Sequence, residues 1–175
     1  MPTRWNAVIA ATARFQRIES EPITKSALLS VEMTQLPILV VEDEFLIALD
    51  IERVLTRARH RVVALAAARS EALAFADEAK LAFVDLNLSD GLTGPSIACD
   101  LAERGITIVY LTANPEQIDP VASTALGYIC KPFDERALVA AASIAANGDF
   151  NVPGAAAISR FGTDARSATA FRLQA

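Results

Sequence analysis

From Leu36 onward the apolar positions fall into two alternating patterns. Short continuous runs read as strands buried on both faces. They are Ile38-Leu39-Val40-Val41, Arg61 to Leu65, Leu81-Ala82-Phe83-Val84, Ile106 to Leu111 and Gly127 to Cys130. Between them the apolar residues recur at helical spacing. Ile47, Ile51, Val54 and Ala58 lie along one face of a helix expected at about 44–58. Further helices are expected over Arg69 to Glu78, Thr93 to Arg104 and Glu116 to Ala125, and from Pro132 to about Asn147. Gly105 and Gly148 mark two helix ends, and Pro132 sits where a helix begins. Five strand–helix units with short connections predict an α/β fold, a doubly wound, five-stranded parallel sheet with five helices on its two faces.

The ends of these strands carry the polar residues. The first strand runs into Glu42-Asp43-Glu44, the third into Asp85, the fourth into Thr112 and the fifth into Lys131-Pro132. In an open α/β sheet the crevice beyond the carboxyl ends of the strands is where ligands bind. Parallel neighbours would therefore bring carboxylates, a hydroxyl and an ammonium to one spot. Each piece alone has a plainer explanation. An acidic run is usually a solvated helix start favoured by the helix dipole. A Thr at a strand end is usually a β former, and Lys-Pro is usually a turn. Their coincidence at strand ends facing one crevice is what gives them weight.

Composition supports one buried core with extensions. Of the 175 residues, 53% are hydrophobic and 21% charged, with a formal net charge of -5. Residues 1–35 and 149–175 each carry a net +1, so residues 36–148 carry -7. An acidic domain argues against direct binding of nucleic acid, which needs clustered Lys and Arg. It suits a divalent cation and basic protein faces. Cys99 and Cys130 lack CxxC spacing and read as reduced, buried thiols. His60, the single histidine, reads as a surface residue and leaves no His-based catalytic dyad or zinc site. No run is long enough to span a bilayer, so the expectation is a cytoplasmic protein with no membrane partner.

Three segments follow from this pattern. Residues 1–35 form a weakly structured extension, with Met33 an alternative start. Residues 36–148 form the domain. Residues 149–175 are a tail rich in Gly, Ala, Ser and Thr, either flexible or an arm for a homodimer.

Leu39-Val40-Val41-Glu42-Asp43-Glu44, Val84-Asp85-Leu86-Asn87-Leu88, Tyr110-Leu111-Thr112-Ala113 and Tyr128-Ile129-Cys130-Lys131-Pro132-Phe133 together resemble the receiver domain of bacterial two-component response regulators, chemotaxis-regulator-like single-domain members included. The resemblance implies a flavodoxin-like sheet of order 2-1-3-4-5. It implies that Asp85 takes a phosphoryl group from a histidine kinase or phosphotransfer protein. Mg²⁺ would be held by Asp43, Asp85, the backbone carbonyl of Asn87, and Glu42 through water. Lys131 and Thr112 would contact the phosphoryl oxygens. Thr112 and Tyr128 would form a switch that reports to a downstream protein, unless the chain is a phosphate sink. Such a protein is no conventional enzyme, although it catalyses its own phosphorylation and dephosphorylation. A cis Lys131–Pro132 bond is expected on the same ground. Glu42 stands where the family often has Asp. The rival, a phosphatase of the haloacid-dehalogenase type with Asp85-Leu86-Asn87 as its Asp-x-Asp motif, fits poorly. Two strands precede Asp85, and position 87 is Asn.

Overall fold

The apolar runs become strands in the computed structural model, which describes residues 35–161. Strands β1 (Pro37–Val41), β2 (Arg61–Ala66), β3 (Leu81–Asp85), β4 (Thr107–Thr112) and β5 (Ala125–Cys130) pair in parallel in the order β2-β1-β3-β4-β5. Four α-helices lie among the described residues: α1 (Phe45–Arg57), α2 (Arg69–Ala74), α3 (Gly94–Glu103) and α4 (Glu135–Asn147). The α/β architecture and the 2-1-3-4-5 order are those expected.

The continuous apolar character of β1 and β3 has a direct cause. Successive side chains point to opposite faces, and both faces are covered by helices. Leu39, Val41, Ala82, Val84, Ile108 and Tyr110 pack on one face with Ile97, Ala98 and Leu101 of α3. Ile38, Val40, Phe83, Val109 and Leu111 pack on the other with Ile51 and Leu55 of α1 and Leu138 and Ala141 of α4. A surface salt bridge, Arg53 to Glu135 at 2.6 Å, joins α1 to α4 above that layer.

Two details differ from the expectation. The helix foreseen at Glu116–Ala125 is only a 3-10 turn, Pro115–Gln117, followed by irregular backbone. Pro120 explains this. It has no N–H for a helical bond, its ring clashes with the preceding turn, and it disfavours helical backbone at Asp119. The apolar spacing still works, because Ile118 and Ala122 are buried against the α3 face of the sheet. The Ala122 N–H, left without a helical acceptor, donates to the Tyr110 hydroxyl at 2.9 Å.

The second difference is a sixth strand. After Gly148 ends α4 with φ 70°, the chain returns to β5 and adds β6 (Ile158–Ser159) antiparallel to it. Residues 149–161 of the expected tail are thus part of this sheet's surroundings. The remaining tail residues, the extension over 1–34 and the Met33 start lie outside the described residues. Among those described, no helix is long and apolar enough to cross a membrane.

The start of α3 is tied to β3 by a glycine. The Gly94 N–H donates to the Leu86 carbonyl at 3.0 Å. A Cβ at Gly94 would fall on the Asp85 carbonyl oxygen and on Leu86 backbone. Backbone cannot yield as a flexible side-chain tip would. Gly94→Ala is therefore expected to destabilise the fold by about 1–3 kcal/mol, the usual cost of overpacking. Urea midpoints of the two proteins would check this, and an unchanged midpoint would contradict it.

Candidate functional site

The sheet register sets the site. Val41 pairs with Val84 and Asp85 with Leu111, so β1, β3 and β4 end at nearly one level. Thr112 pairs with Cys130, the residue before Lys131. Glu42 and Asp43 after β1, Asp85 at the end of β3, Thr112 at the end of β4 and Lys131 after β5 therefore meet at one edge.

Lys131 is the hub. Its Nζ donates to Glu42 Oε2 at 2.7 Å and to Asp85 Oδ2 at 2.8 Å. The Lys131–Pro132 peptide is cis, as expected. Carboxylate oxygens of Glu42, Asp43 and Asp85 all lie within 4.8 Å of one another. Glu42 is 2% exposed and Asp85 6%. Burying charge is costly unless it is paired, and here three carboxylates face one ammonium. The surplus is negative, and the donors are hard oxygens of the kind that Mg²⁺ takes. The residues present fit such an ion.

The proton affinities reflect the same crowding. Burial pushes the Glu42 carboxyl above its ordinary value, the Asp85 charge adds to this, and Lys131 pulls only part of it back. For Lys131 burial alone would lower the pKa. The hydrogen bonds and charges of Asp85 and Glu42 outweigh it and hold the ammonium above its ordinary value.

Thr112 is buried, and its Oγ1 accepts the Asn114 N–H at 2.9 Å. Asn87 is exposed two residues beyond Asp85. Its N–H lies 3.5 Å from Asp85 Oδ1, and its Nδ2 donates to Gln117 Oε1 at 3.4 Å. Tyr128 is half-buried on the α3 face, beside Tyr110 in the register. The sequence-predicted residues are thus neighbours, with Tyr128 set back along β5. Three further residues escaped sequence reading. Gln117 holds the Asn87 side chain, Gly94 admits α3 against Asp85, and Phe161 packs on Tyr128. Only the Thr-Gly-Pro run at Gly94 carried any signal, as a helix start. His60, expected at the surface, is half-buried with its Nδ1 unpartnered among the described residues, and burial lowers its pKa. Cys99 and Cys130, expected to be buried, are half-buried and exposed, because Cys130 closes β5 where the strand leaves the sheet.

A family model described as the response regulator receiver domain matches residues 38–143. The chain belongs to the receiver family. Among solved structures, this receiver is similar to the receiver domain of the PhyR response regulator of Erythrobacter litoralis. The two are 27% identical with a TM-score of 0.59, over 69% of this chain and 96% of that one. It is also similar to the PhyR response regulator of Brucella abortus, at 28% identity and a TM-score of 0.51 over 64% of this chain. There it spans about half of the longer protein, 52%. NtrX of Brucella abortus is 26% identical with a TM-score of 0.56, over 62% of this chain and 27% of that one. No curated protein sequence matches this chain. A receiver is a signalling domain, which supports a response-regulator role in a two-component phosphorelay.

Beside the receiver's acidic cluster lies an apolar hollow of about 550 Å³. Leu46, Ile47, Pro132 and Phe133 line it, with Asp50 and Lys131 at its polar side. Phe45 and Leu46, in the first turn of α1, are 67% and 79% exposed. Exposed apolar side chains grouped in this way mark contact surfaces.

On the opposite face, burial pushes the Tyr110 phenol up to about 12, its hydrogen bond with Ala122 opposing the shift. A pKa raised on folding gives stability that is present below the unfolded value and lost as pH rises through the folded one. The receiver is thus expected to lose about 2–3 kcal/mol from this group between pH 10 and 12. Tyr110→Phe should flatten that loss. It should also cost about 1–3 kcal/mol at neutral pH, because the Ala122 N–H loses its acceptor. Urea midpoints against pH would check both. An equally steep alkaline loss in the variant would exclude Tyr110 as its source.

Proposed function

We propose that this receiver accepts a phosphoryl group on Asp85 from the phosphohistidine of a histidine kinase or phosphotransfer protein. The support is the placement of Lys131, with its Nζ shared between Glu42 and Asp85 in the acidic cluster. In the transfer, an Asp85 carboxylate oxygen bonds to phosphorus as the phosphorus–nitrogen bond breaks. The imidazole nitrogen keeps the electron pair, and the ring, carrying a proton on its other nitrogen, leaves as neutral imidazole. Two anions must approach for this to happen, so catalysis is positioning and charge neutralisation.

Each residue has a role in that task. Lys131 is the resident cation, ready to move from Asp85 to the incoming phosphoryl oxygens. Thr112 would turn its hydroxyl from Asn114 to another phosphoryl oxygen. Asp43, Asp85 and the Asn87 carbonyl would hold Mg²⁺ directly, and Glu42 would hold it through water. When bound, that ion supplies positive charge for the phosphoryl oxygens. Phe45, Leu46 and the hollow at Pro132 and Phe133 would seat an apolar helical face of the donor protein beside Asp85. Movement of Thr112 frees space for Tyr128, and this population shift carries the signal to a downstream protein.

The test is acetyl phosphate with Mg²⁺ as the small-molecule donor. Uptake of one phosphoryl group, stable to acid and lost in base, is expected. Failure of uptake, or repeated turnover of unrelated phosphate esters, would overturn the reading.

A further inference from the structure

The short strand β6 is anchored on both sides of the sheet. Ile158 is buried with Ile129 and Leu138 on the α1 and α4 side. Three residues on, Phe161 packs on the other side, against the rings of Tyr110 and Tyr128. Its centroid lies 6.0 Å from Tyr110, edge-on at 87°, and 5.7 Å from Tyr128 at 49°. Such aromatic geometry is favourable beyond plain burial. Between the two anchors, Tyr128 pairs with Ser159 and Ile129 with Ile158.

The rest of the fold is shaped to receive this segment. At Gly127 an added Cβ would strike the Ser159 carbonyl oxygen, so only a glycine in β5 lets β6 approach. At Gly154 an added Cβ would press on the Arg136 carbonyl, so the return from α4 needs a glycine too. Arg160 lies 4.2 Å over the Phe150 ring and ties the start of the segment to its end. Phe161 also covers sheet surface next to the run that Pro120 keeps from being a helix.

Without β6, β5 would be a bare edge, open to pairing. Yet β6 contributes only two paired residues and two anchors. Elements held this lightly open first in a folded protein. One of its anchors rests on Tyr128, two residues along β5 from the Cys130 that pairs with Thr112.

We propose that residues 158–161 are a displaceable cover, held on β5 by Phe161 while Asp85 is free and released when Tyr128 turns toward Thr112. The proposal rests on Asp85 being the phosphoacceptor. A Tyr128 ring turned toward Thr112 would leave the place where Phe161 now packs on it, so cover and phosphorylation would oppose each other. Linkage then makes the effect reciprocal: loosening the cover must favour the phosphorylated conformation by the same factor.

The experiment is hydrogen exchange of the full chain, read by mass spectrometry at residues 126–130 and 158–161, with phosphoryl uptake read separately from intact mass. Acetyl phosphate with Mg²⁺ is expected to speed exchange at both segments about fivefold or more. Asp85→Asn should stay protected under the same conditions. Phe161→Ala and, independently, Gly127→Ala should exchange quickly without any donor, while β1 and β3 stay protected. Phe161→Ala should also bind Mg²⁺ with beryllofluoride, a phosphoryl mimic, more tightly by a matching factor. Stoichiometric uptake with unchanged exchange would overturn the cover and leave the phosphoacceptor reading standing. Unchanged exchange in both donor-free variants would also overturn it. No uptake by the unaltered protein would overturn the phosphoacceptor reading, and the cover with it.

Discussion

Asp85→Asn is expected to abolish phosphoryl uptake from acetyl phosphate altogether. The reacting atom is a carboxylate oxygen, and an amide of the same shape has no anionic oxygen with which to form the bond. The substitution isolates the chemistry because it disturbs little else. Lys131 keeps Glu42 as a partner at 2.7 Å. The cluster loses one of three carboxylates that already outnumber their ammonium, so repulsion falls. Stability in the absence of Mg²⁺ should therefore hold or rise slightly, whereas Mg²⁺ binding should weaken with the loss of a hard ligand. Intact mass after incubation, together with a urea midpoint, separates chemical loss from unfolding. Full-stoichiometry uptake by the variant would place the acceptor elsewhere.

Lys131→Ala should give the largest change in stability. It removes the only cation bonded to Glu42 and Asp85 among the described residues. The Glu42 side chain is fully buried, whereas Lys131 is 18% exposed. Removing one partner of a buried ion pair typically costs about 3–5 kcal/mol, because the other charge stays buried and uncompensated. The pH dependence tests the cause. The Glu42 carboxyl is already raised above the ordinary carboxylate value by burial, with Lys131 opposing. Without Lys131 it rises further. A carboxyl raised on folding contributes stability that is fully present below its unfolded pKa and lost as pH rises through the folded one. The deficit should thus be greatest at neutral pH and shrink as pH falls toward the usual carboxylate range. Millimolar Mg²⁺ should also reduce it by replacing the missing charge. Urea midpoints across pH, with and without Mg²⁺, would check this. A deficit indifferent to both would mean that Lys131 acts through packing alone. Phosphoryl uptake should fall as well, since the ammonium placed beside Asp85 to meet the incoming oxygens would be gone.

The strand ends were legible in the sequence because their signal is local. An apolar run that stops at a polar residue marks both a buried strand and its exit from the sheet. Glu42, Asp85, Thr112 and Lys131 all follow that rule, and parallel pairing then brings them together. The Glu116–Ala125 segment shows where local reading misleads. Its apolar residues have helical spacing and are indeed buried, but Pro120 in its middle carries more weight than the period. Periodicity records which residues are buried, whereas backbone chemistry decides the shape in which they are buried.

The sequence by itself determined the alternation of strands and helices, the two-faced core and the polar residues that meet at the sheet's edge. Each of these depends on neighbours a few positions apart. Only the tertiary structure decided how Lys131 divides itself between Glu42 and Asp85, where Gly94 must admit α3, and that Ile158 and Phe161 clasp β5. Those depend on residues far apart in the chain, such as Tyr128 and Ser159, and contacts of that kind leave no period for a local pattern to reveal.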